Sequence, residues 1–218
     1  MRYYFLFLVF ISLHTVAAIA NSDAGLPSQN TAKKLFVLPD YYKKYTLSFG
    51  NPEAPIKIHK FFSFACPSCL MFHKHHYPVI QKQFIDTGKV YWTFVPYVMD
   101  IDTLYIMASA STCSDDLKLK IFESMMENAL RWTDDDNKEN IIQILKSCGV
   151  SDNLIQQTFA EAKYESVLRE SFDFQEHVLI DGTPTLFING EEIPGIPGAK
   201  KLSKILTDML DCHTGETP

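Results

Sequence analysis

Residues 56–69 read IKIHKFFSFACPSC and decide the fold of the chain around them. The apolar, aromatic part predicts a buried strand, and residues 71–84 have the spacing of a helix. Pro67 suits the first position of that helix, where its missing N–H costs nothing. Cys66 then caps the helix and Cys69 lies one turn further in. The stretch therefore predicts a strand, a turn and a helix whose first turn carries two thiols.

The two cysteines have the spacing and position of a redox pair. A helix N-terminus stabilises a negative sulfur, so the Cys66 thiol should ionise below the free-cysteine pKa of about 8.5. We expect Cys66 to be the nucleophile and Cys69 the resolving thiol. Two buried structural cysteines are the other interpretation, but a C-x-x-C pair that opens a helix after a strand is typical of redox proteins.

A zinc site is a further alternative, because His73 and His76 lie on the same helix face as the cysteines. Four ligands on one helix would spread along about 15 Å of its axis, whereas zinc is surrounded from several directions. The helix would have to break, or a second chain contribute, to complete the site. We therefore expect no metal and a solvated histidine face.

Two motifs together resemble the DsbA family of periplasmic thiol:disulfide oxidoreductases. They are residues 61–69, FFSFACPSC, and residues 182–190, GTPTLFING. The order of the two motifs and the long gap between them also match the family. The resemblance covers Tyr41 to Leu210. It implies an α/β, thioredoxin-like fold with an inserted all-helical subdomain. Because the sequence carries no flavin, haem or nucleotide signature, we expect no cofactor.

The resemblance also implies a function. The Cys66–Cys69 disulfide would be donated to reduced exported polypeptides, and a quinone-linked membrane partner resembling DsbB would reoxidise the protein. A reductase or isomerase that is kept reduced is the alternative. Isomerase relatives dimerise through an N-terminal domain, and residues 21–49 are too short for one. We therefore expect a monomer.

Further residues are expected to shape the chemistry. In the resembling family the proline equivalent to Pro184 is cis, and the backbone of Thr183 would pair with an extended substrate. An ordinary trans proline at an edge strand is the alternative. Pro67 is followed by Ser68, where many family members have histidine, so the Cys66 thiolate loses a cationic neighbour.

Lys60 stands where the family often carries a buried acid beneath the site, and Phe94 lies near the expected position of its basic partner. A lone lysine below Cys69 could lower the pKa of that thiol, or it could extend its ammonium group to solvent. We take the solvated position as the expectation.

Composition excludes one class of partner. The chain has 218 residues, of which 46% are hydrophobic, and a formal net charge of −6. It is long enough for a thioredoxin-sized core with an insertion. An acidic protein without a basic stretch is a poor nucleic-acid binder, so we expect no nucleic-acid partner.

The N-terminus predicts export. Residues 1–20 combine Arg2, an apolar run and small residues before a cleavage site that we place after Ala20, as in a signal peptide. An uncleaved membrane anchor is the alternative, because the apolar run approaches the spanning length of about 20 residues. We expect a periplasmic protein, in a compartment that permits disulfides.

The remaining chain divides into segments. A flexible mature N-terminus at 21–40 comes first, and a tail at 212–218 comes last. Between them lies a thioredoxin-like domain in two parts, 41–99 and 165–211. A helical insertion at 100–164 separates the two parts. Capping sequences between four helical patterns indicate the insertion. The acid run at 134–136 lacks calcium-loop spacing and predicts a solvated helix start. Asn189-Gly190 predicts a hairpin turn.

Three cysteines lie outside the redox pair. Cys113 and Cys148 each close a helical pattern of the insertion, and a helical hairpin could bring them together. We predict a structural disulfide between them. Two buried free thiols are the alternative. Cys212, near the chain end, is expected to be unpaired.

Overall fold

The structure is a computed structural model that describes residues 35–129 and 137–214. The expected signal peptide, the N-terminal segment up to Lys34 and the acid run at 134–136 lie outside these described residues. The strands are β1 Leu47–Phe49, β2 Ile56–Phe62, β3 Val90–Pro96, β4 Thr185–Ile188 and β5 Glu191–Ile193. The helices are α1 Pro67–His75, α2 Tyr77–Ile80, α3 Ile101–Ala110, α4 Asp115–Asn128, α5 Asn137–Cys148, α6 Asp152–Thr158, α7 Glu161–His177 and α8 Ala199–Thr214.

The five strands form one mixed sheet in the order β1-β3-β2-β4-β5. Strands β2 and β3 are parallel and connected through α1, whereas the other pairs are antiparallel. Helices α3 to α7 all lie between β3 and β4 in the chain, which confirms an α/β fold with a helical insertion. The boundary that we predicted at residue 165 falls inside the continuous helix α7.

The central strand β2 separates two apolar cores. Ile58 and Phe62 face the core that contains α1, and Phe61 faces the core built around Tyr42 and Phe174. This alternation follows from the two-residue period of a strand, which places successive side chains on opposite faces. The residue between Ile58 and Phe62 on the α1 face is Lys60, and it is fully buried.

The redox helix is shorter than predicted. The sequence pattern predicted one helix through residue 84, but α1 ends at His75 and α2 begins at Tyr77, after a break at His76. Pro78 explains the break, because proline has no N–H to bond the carbonyl four residues earlier. The second segment then continues as a single π-helical turn, Gln81–Ile85.

The hairpin predicted at Asn189-Gly190 is confirmed. Asn189 (φ 49°) and Gly190 (φ 86°) both have positive φ and join β4 to β5. A side chain at Gly190 would also come within 2.9 Å of the Phe36 carbonyl oxygen. Asn189 accepts a hydrogen bond from the Lys57 N–H at 2.8 Å and so ties the turn to the start of β2.

Two other findings complete the fold. Residues 40–45 form a short 3-10 helix that leads into the three-residue edge strand β1. Among the described residues we find no helix with the length and hydropathy of a membrane span.

Candidate redox site

Cys66 is the N-cap residue of α1, as the sequence predicts. Its backbone is extended (φ −90°, ψ 108°), and its sulfur accepts a hydrogen bond from the backbone N–H of Cys69 at 3.3 Å. Pro67 occupies the first helical position. The sulfur therefore takes the place that an oxygen of a capping serine or aspartate would hold, at the positive end of the helix dipole.

The two thiols differ in their access to solvent. Cys66 is half-buried, whereas Cys69 is completely buried beneath it. Pro67 and Ser68, between them, are exposed. An incoming sulfur can therefore reach Cys66 but not Cys69.

The two thiols also differ in pKa. Hydrogen bonding from the Cys69 thiol lowers the pKa of Cys66 to about 5, and the Thr183 side chain, the Cys69 N–H and the charge of Lys60 act in the same direction. Burial opposes this lowering. The pKa of Cys69 is strongly raised, first by burial and then by its hydrogen bond to Cys66. At neutral pH the reduced site therefore holds one thiolate, at Cys66, and one thiol, at Cys69.

The loop before β4 faces the nucleophile. The Thr183–Pro184 peptide bond is cis, and the Thr183 carbonyl oxygen lies 3.2 Å from the Cys66 sulfur, where it accepts a hydrogen bond from the thiol when Cys66 is protonated. The Thr183 hydroxyl lies 3.6 Å from the sulfur of Met99, whose side chain is exposed. The structure thus brings Cys66, Thr183 and Pro184 together although they are far apart in the sequence.

Lys60 does not reach solvent, so that expectation was wrong. Its exposed fraction is 0%, and its Nζ has no hydrogen-bond partner among the described residues. The ammonium lies over the rings of Phe72, Phe94 and Phe62, at 5.1, 5.4 and 5.7 Å from their centroids. Burial lowers the pKa of Lys60 to about 8, and the negative charges of Cys69 and Cys66 oppose this lowering. Strand β2 is covered on this face by α1, which leaves the side chain no path outward.

A polar network that the sequence analysis missed holds the turn before Cys66. Asp100 caps α3 by accepting from the Thr103 N–H at 2.6 Å and also accepts from the Ser63 hydroxyl at 2.5 Å. The Thr103 and Ser63 hydroxyls accept in turn from the backbone N–H groups of Phe64 and Ala65, each at 3.0 Å. Asp100 could be recognised from the sequence as a helix cap, because aspartate often precedes a helical pattern. Its hydrogen bond to Ser63 could not, because the two residues lie 37 positions apart in the chain.

The histidines after the redox pair do not form one solvated face. His73 is largely buried, lies 3.1 Å from a Glu123 carboxylate oxygen on α4 and stacks on Tyr77. His75 is exposed and His76 half-buried. Within the described part of the chain, no three side chains of histidine, cysteine, aspartate or glutamate come together in a way that could hold a metal ion.

The predicted disulfide of the insertion is not formed in the structure, where Cys113 and Cys148 are both free thiols. The Cys113 sulfur donates to the Ser109 carbonyl oxygen within its own turn, at 3.3 Å. The Cys148 sulfur lies instead against α4, 3.6 Å from the Lys120 carbonyl oxygen and 3.4 Å from the Ser124 hydroxyl. The sequence pattern predicted that the two cysteines lie near the ends of their helices, but it could not predict the direction of each side chain.

The serine between the cysteines provides a test of the thiolate. We expect Ser68→His to lower the pKa of Cys66 below its value of about 5, because an imidazolium near the sulfur would add a positive charge. The ultraviolet absorbance of the thiolate, followed against pH in the reduced protein, measures this shift. Ser68→Ala is the control, and an unchanged pKa in Ser68→His would contradict the assigned role of this position.

Known proteins are similar to this chain over most of its length. The family model described as thioredoxin matches residues 43–208. Disulfide bond formation protein D of Bacillus subtilis is 27% identical over 172 residues, which cover 74% of this chain and 75% of that protein.

Solved structures show the same fold. Alpha-DsbA1 of Wolbachia pipientis has a TM-score of 0.67 at 19% identity, covering 80% of this chain and 92% of its own. Oxidised BdbD of Bacillus subtilis has a TM-score of 0.67 at 21% identity, covering 78% of this chain and 95% of its own. These similarities confirm the thioredoxin-like fold with its helical insertion.

Proposed function

Because this chain belongs to the thioredoxin family, as a thiol:disulfide oxidoreductase of the DsbA type, we propose that it is an oxidase that donates the Cys66–Cys69 disulfide to reduced polypeptides. The observation that carries the proposal is the difference between the two thiols. Cys66 is accessible and has a pKa of about 5, whereas Cys69 is buried and has a strongly raised pKa. A stabilised Cys66 thiolate favours the reduced protein, and a protein that prefers to be reduced oxidises others.

The reaction proceeds in two exchanges. A substrate thiolate attacks the Cys66 sulfur, the Cys66–Cys69 bond breaks, and Cys69 leaves and is protonated. A second substrate thiolate then attacks the substrate sulfur of the mixed disulfide, and Cys66 leaves as a thiolate. Two electrons pass from the substrate dithiol to the cysteine pair. The low pKa of Cys66 makes it a good leaving group in the second exchange.

Thr183 and Pro184 bind the substrate chain in this proposal. An extended peptide pairs with the backbone of Thr183 in the manner of an added strand, which carries its sulfur to Cys66. The support is the 3.2 Å approach of the Thr183 carbonyl oxygen to the Cys66 sulfur. Met99, exposed beside Thr183, offers a flexible apolar contact suited to unfolded chains of varied sequence.

The partners and location follow from the same role. The substrates are reduced exported polypeptides, the protein acts as a monomer in the periplasm, and a quinone-linked membrane partner resembling DsbB reoxidises it. The support is the signal-peptide pattern of residues 1–20 and the similarity to a disulfide bond formation protein.

Equilibrium with glutathione tests the oxidase role. We expect a reduction potential above the thioredoxin value of about −270 mV and below the DsbA value of about −120 mV. Cys69 and the helix N-terminus stabilise the Cys66 thiolate, which should raise the potential above the thioredoxin value. Ser68 supplies no positive charge, which should keep the potential below the DsbA value. The fraction of reduced protein is measured at pH 7 across a series of glutathione ratios. A potential near −270 mV would support the reductase alternative instead.

A further inference from the structure

Lys60 is a buried cationic residue without a counter-ion of its own. The side chain is unexposed and its Nζ has no hydrogen-bond partner among the described residues. Its neighbours across the sheet are Phe94 on β3 and Leu186 on β4, neither of which carries a charge. An isolated ammonium group in an apolar core is costly unless it is neutralised or paired.

The charged groups around Lys60 belong to the redox pair. Helix α1 contributes Cys69 and Cys66, and the negative charges of both raise the lysine pKa against burial. Strands β2 and β3 contribute only the rings of Phe62 and Phe94. The next ionisable pair, His73 with Glu123 at 3.1 Å, is already paired, and the His73 ring contacts Phe94 and Phe122.

We propose that Lys60 is a redox-linked proton-binding residue, neutral while Cys66 and Cys69 are joined and protonated when reduction creates the Cys66 thiolate. The disulfide carries no charge, so among the described residues only the faces of aromatic rings oppose the cost of a buried ammonium in the oxidised core. The thiolate supplies that charge in the reduced protein. Lys60 acts through the two sulfurs and is a positioning residue, not a catalytic one. The inference rests on the oxidoreductase function proposed above.

Protons and electrons balance when Lys60 takes up a proton on reduction. A substrate dithiol loses two electrons and two protons when it becomes a disulfide. The Cys66–Cys69 bond takes up both electrons and gives a Cys66 thiolate and a Cys69 thiol. One proton goes to Cys69 and the other to the Lys60 amine. No proton is left for the solvent, and the reduced core contains a neutral pair of one anion and one cation.

This balance predicts the pH dependence of the glutathione equilibrium. Between about pH 6 and 7.5 Cys66 is a thiolate and glutathione is protonated, since a free cysteine thiol has a pKa of about 8.5. Lys60, with a pKa of about 8 in the reduced protein, is then protonated after reduction. The equilibrium constant for reduction should change by less than about threefold across this range in the unaltered protein.

Lys60→Met removes the proton-binding group and keeps the volume. Each reduction then releases one proton, so the equilibrium constant should rise about tenfold for each pH unit. Lys74→Met, on the exposed face of α1, changes the same charge at the surface and should behave like the unaltered protein. Equal pH dependence in Lys60→Met and the unaltered protein would overturn the proposal.

A second measurement needs no variant and remains informative if Lys60→Met does not fold. The unaltered protein is reduced by glutathione in weak buffer at pH 7, and the protons released are counted with an indicator dye. We expect close to none per protein reduced, and about one would overturn the proposal. The potential at pH 7 tests the oxidase role separately, so either conclusion can fail while the other holds.

Discussion

We expect Cys66→Ser to abolish the oxidation of a reduced polypeptide, whereas Cys69→Ser should retain the nucleophile and stop at a mixed disulfide. The reason is the burial of the pair: Cys66 is accessible and ionised, and Cys69 is enclosed beneath it with a raised pKa. Once Cys66 is lost, the remaining sulfur can neither reach a substrate nor form a thiolate readily. The measurement is the recovery of activity in a reduced, unfolded substrate.

The trapped species gives this prediction a second readout. Reduced Cys69→Ser is mixed with glutathione disulfide, and peptide mapping by mass spectrometry should find glutathione bound to Cys66. Cys212→Ser is the matched control, because Cys212 is exposed and free but lies on α8 outside the redox turn. Substantial oxidase activity in Cys66→Ser would contradict the assignment of the nucleophile.

Phe94→Ala should lower the free energy of unfolding by about 3–5 kcal/mol, the cost of removing a buried aromatic side chain. Phe94 has no exposed surface and contacts Phe62 on β2, Tyr77 on α2 and Phe122 on α4. It therefore joins the sheet, the redox helix segment and the helical insertion in one core. Denaturant unfolding of the reduced protein, followed by circular dichroism, measures the loss.

Tyr91→Ala on the same strand is the control for Phe94→Ala. Tyr91 is half-buried on the other face of β3, where its ring contacts the Lys57 ammonium. A surface contact of this kind contributes about 0.5–1 kcal/mol. If both variants lost the same free energy of unfolding, the Phe94 contacts would stabilise the protein no more than a surface contact does, which would contradict the prediction.

Much of the site could be predicted because it depends on neighbours in the sequence. Cys66 at the helix N-cap follows from Pro67 and the apolar run before it, and the Cys69 thiol, which lowers the pKa of Cys66 most, lies only three residues further along the chain. The helix break at His76 also has a local signal, because Pro78 interrupts the regular apolar spacing of residues 71–84. The hairpin at Asn189-Gly190 is local in the same sense.

What only the tertiary structure decided involves residues distant in the chain. The sequence placed Lys60 on β2, but its burial is set by α1 packing over the strand and by Phe94 arriving on β3. The link from Asp100 to Ser63 joins α3 to the redox turn in the same way.

The free thiols of the insertion show the same limit. Cys113 lies in the turn after α3 and Cys148 at the end of α5, so their separation depends on how these helices pack. The sequence by itself determined which residues carry the redox chemistry, because capping and turns act over a few bonds. Packing decided the electrostatic environment around them, because the dielectric and the counter-charges at a buried group come from whatever the fold brings next to it.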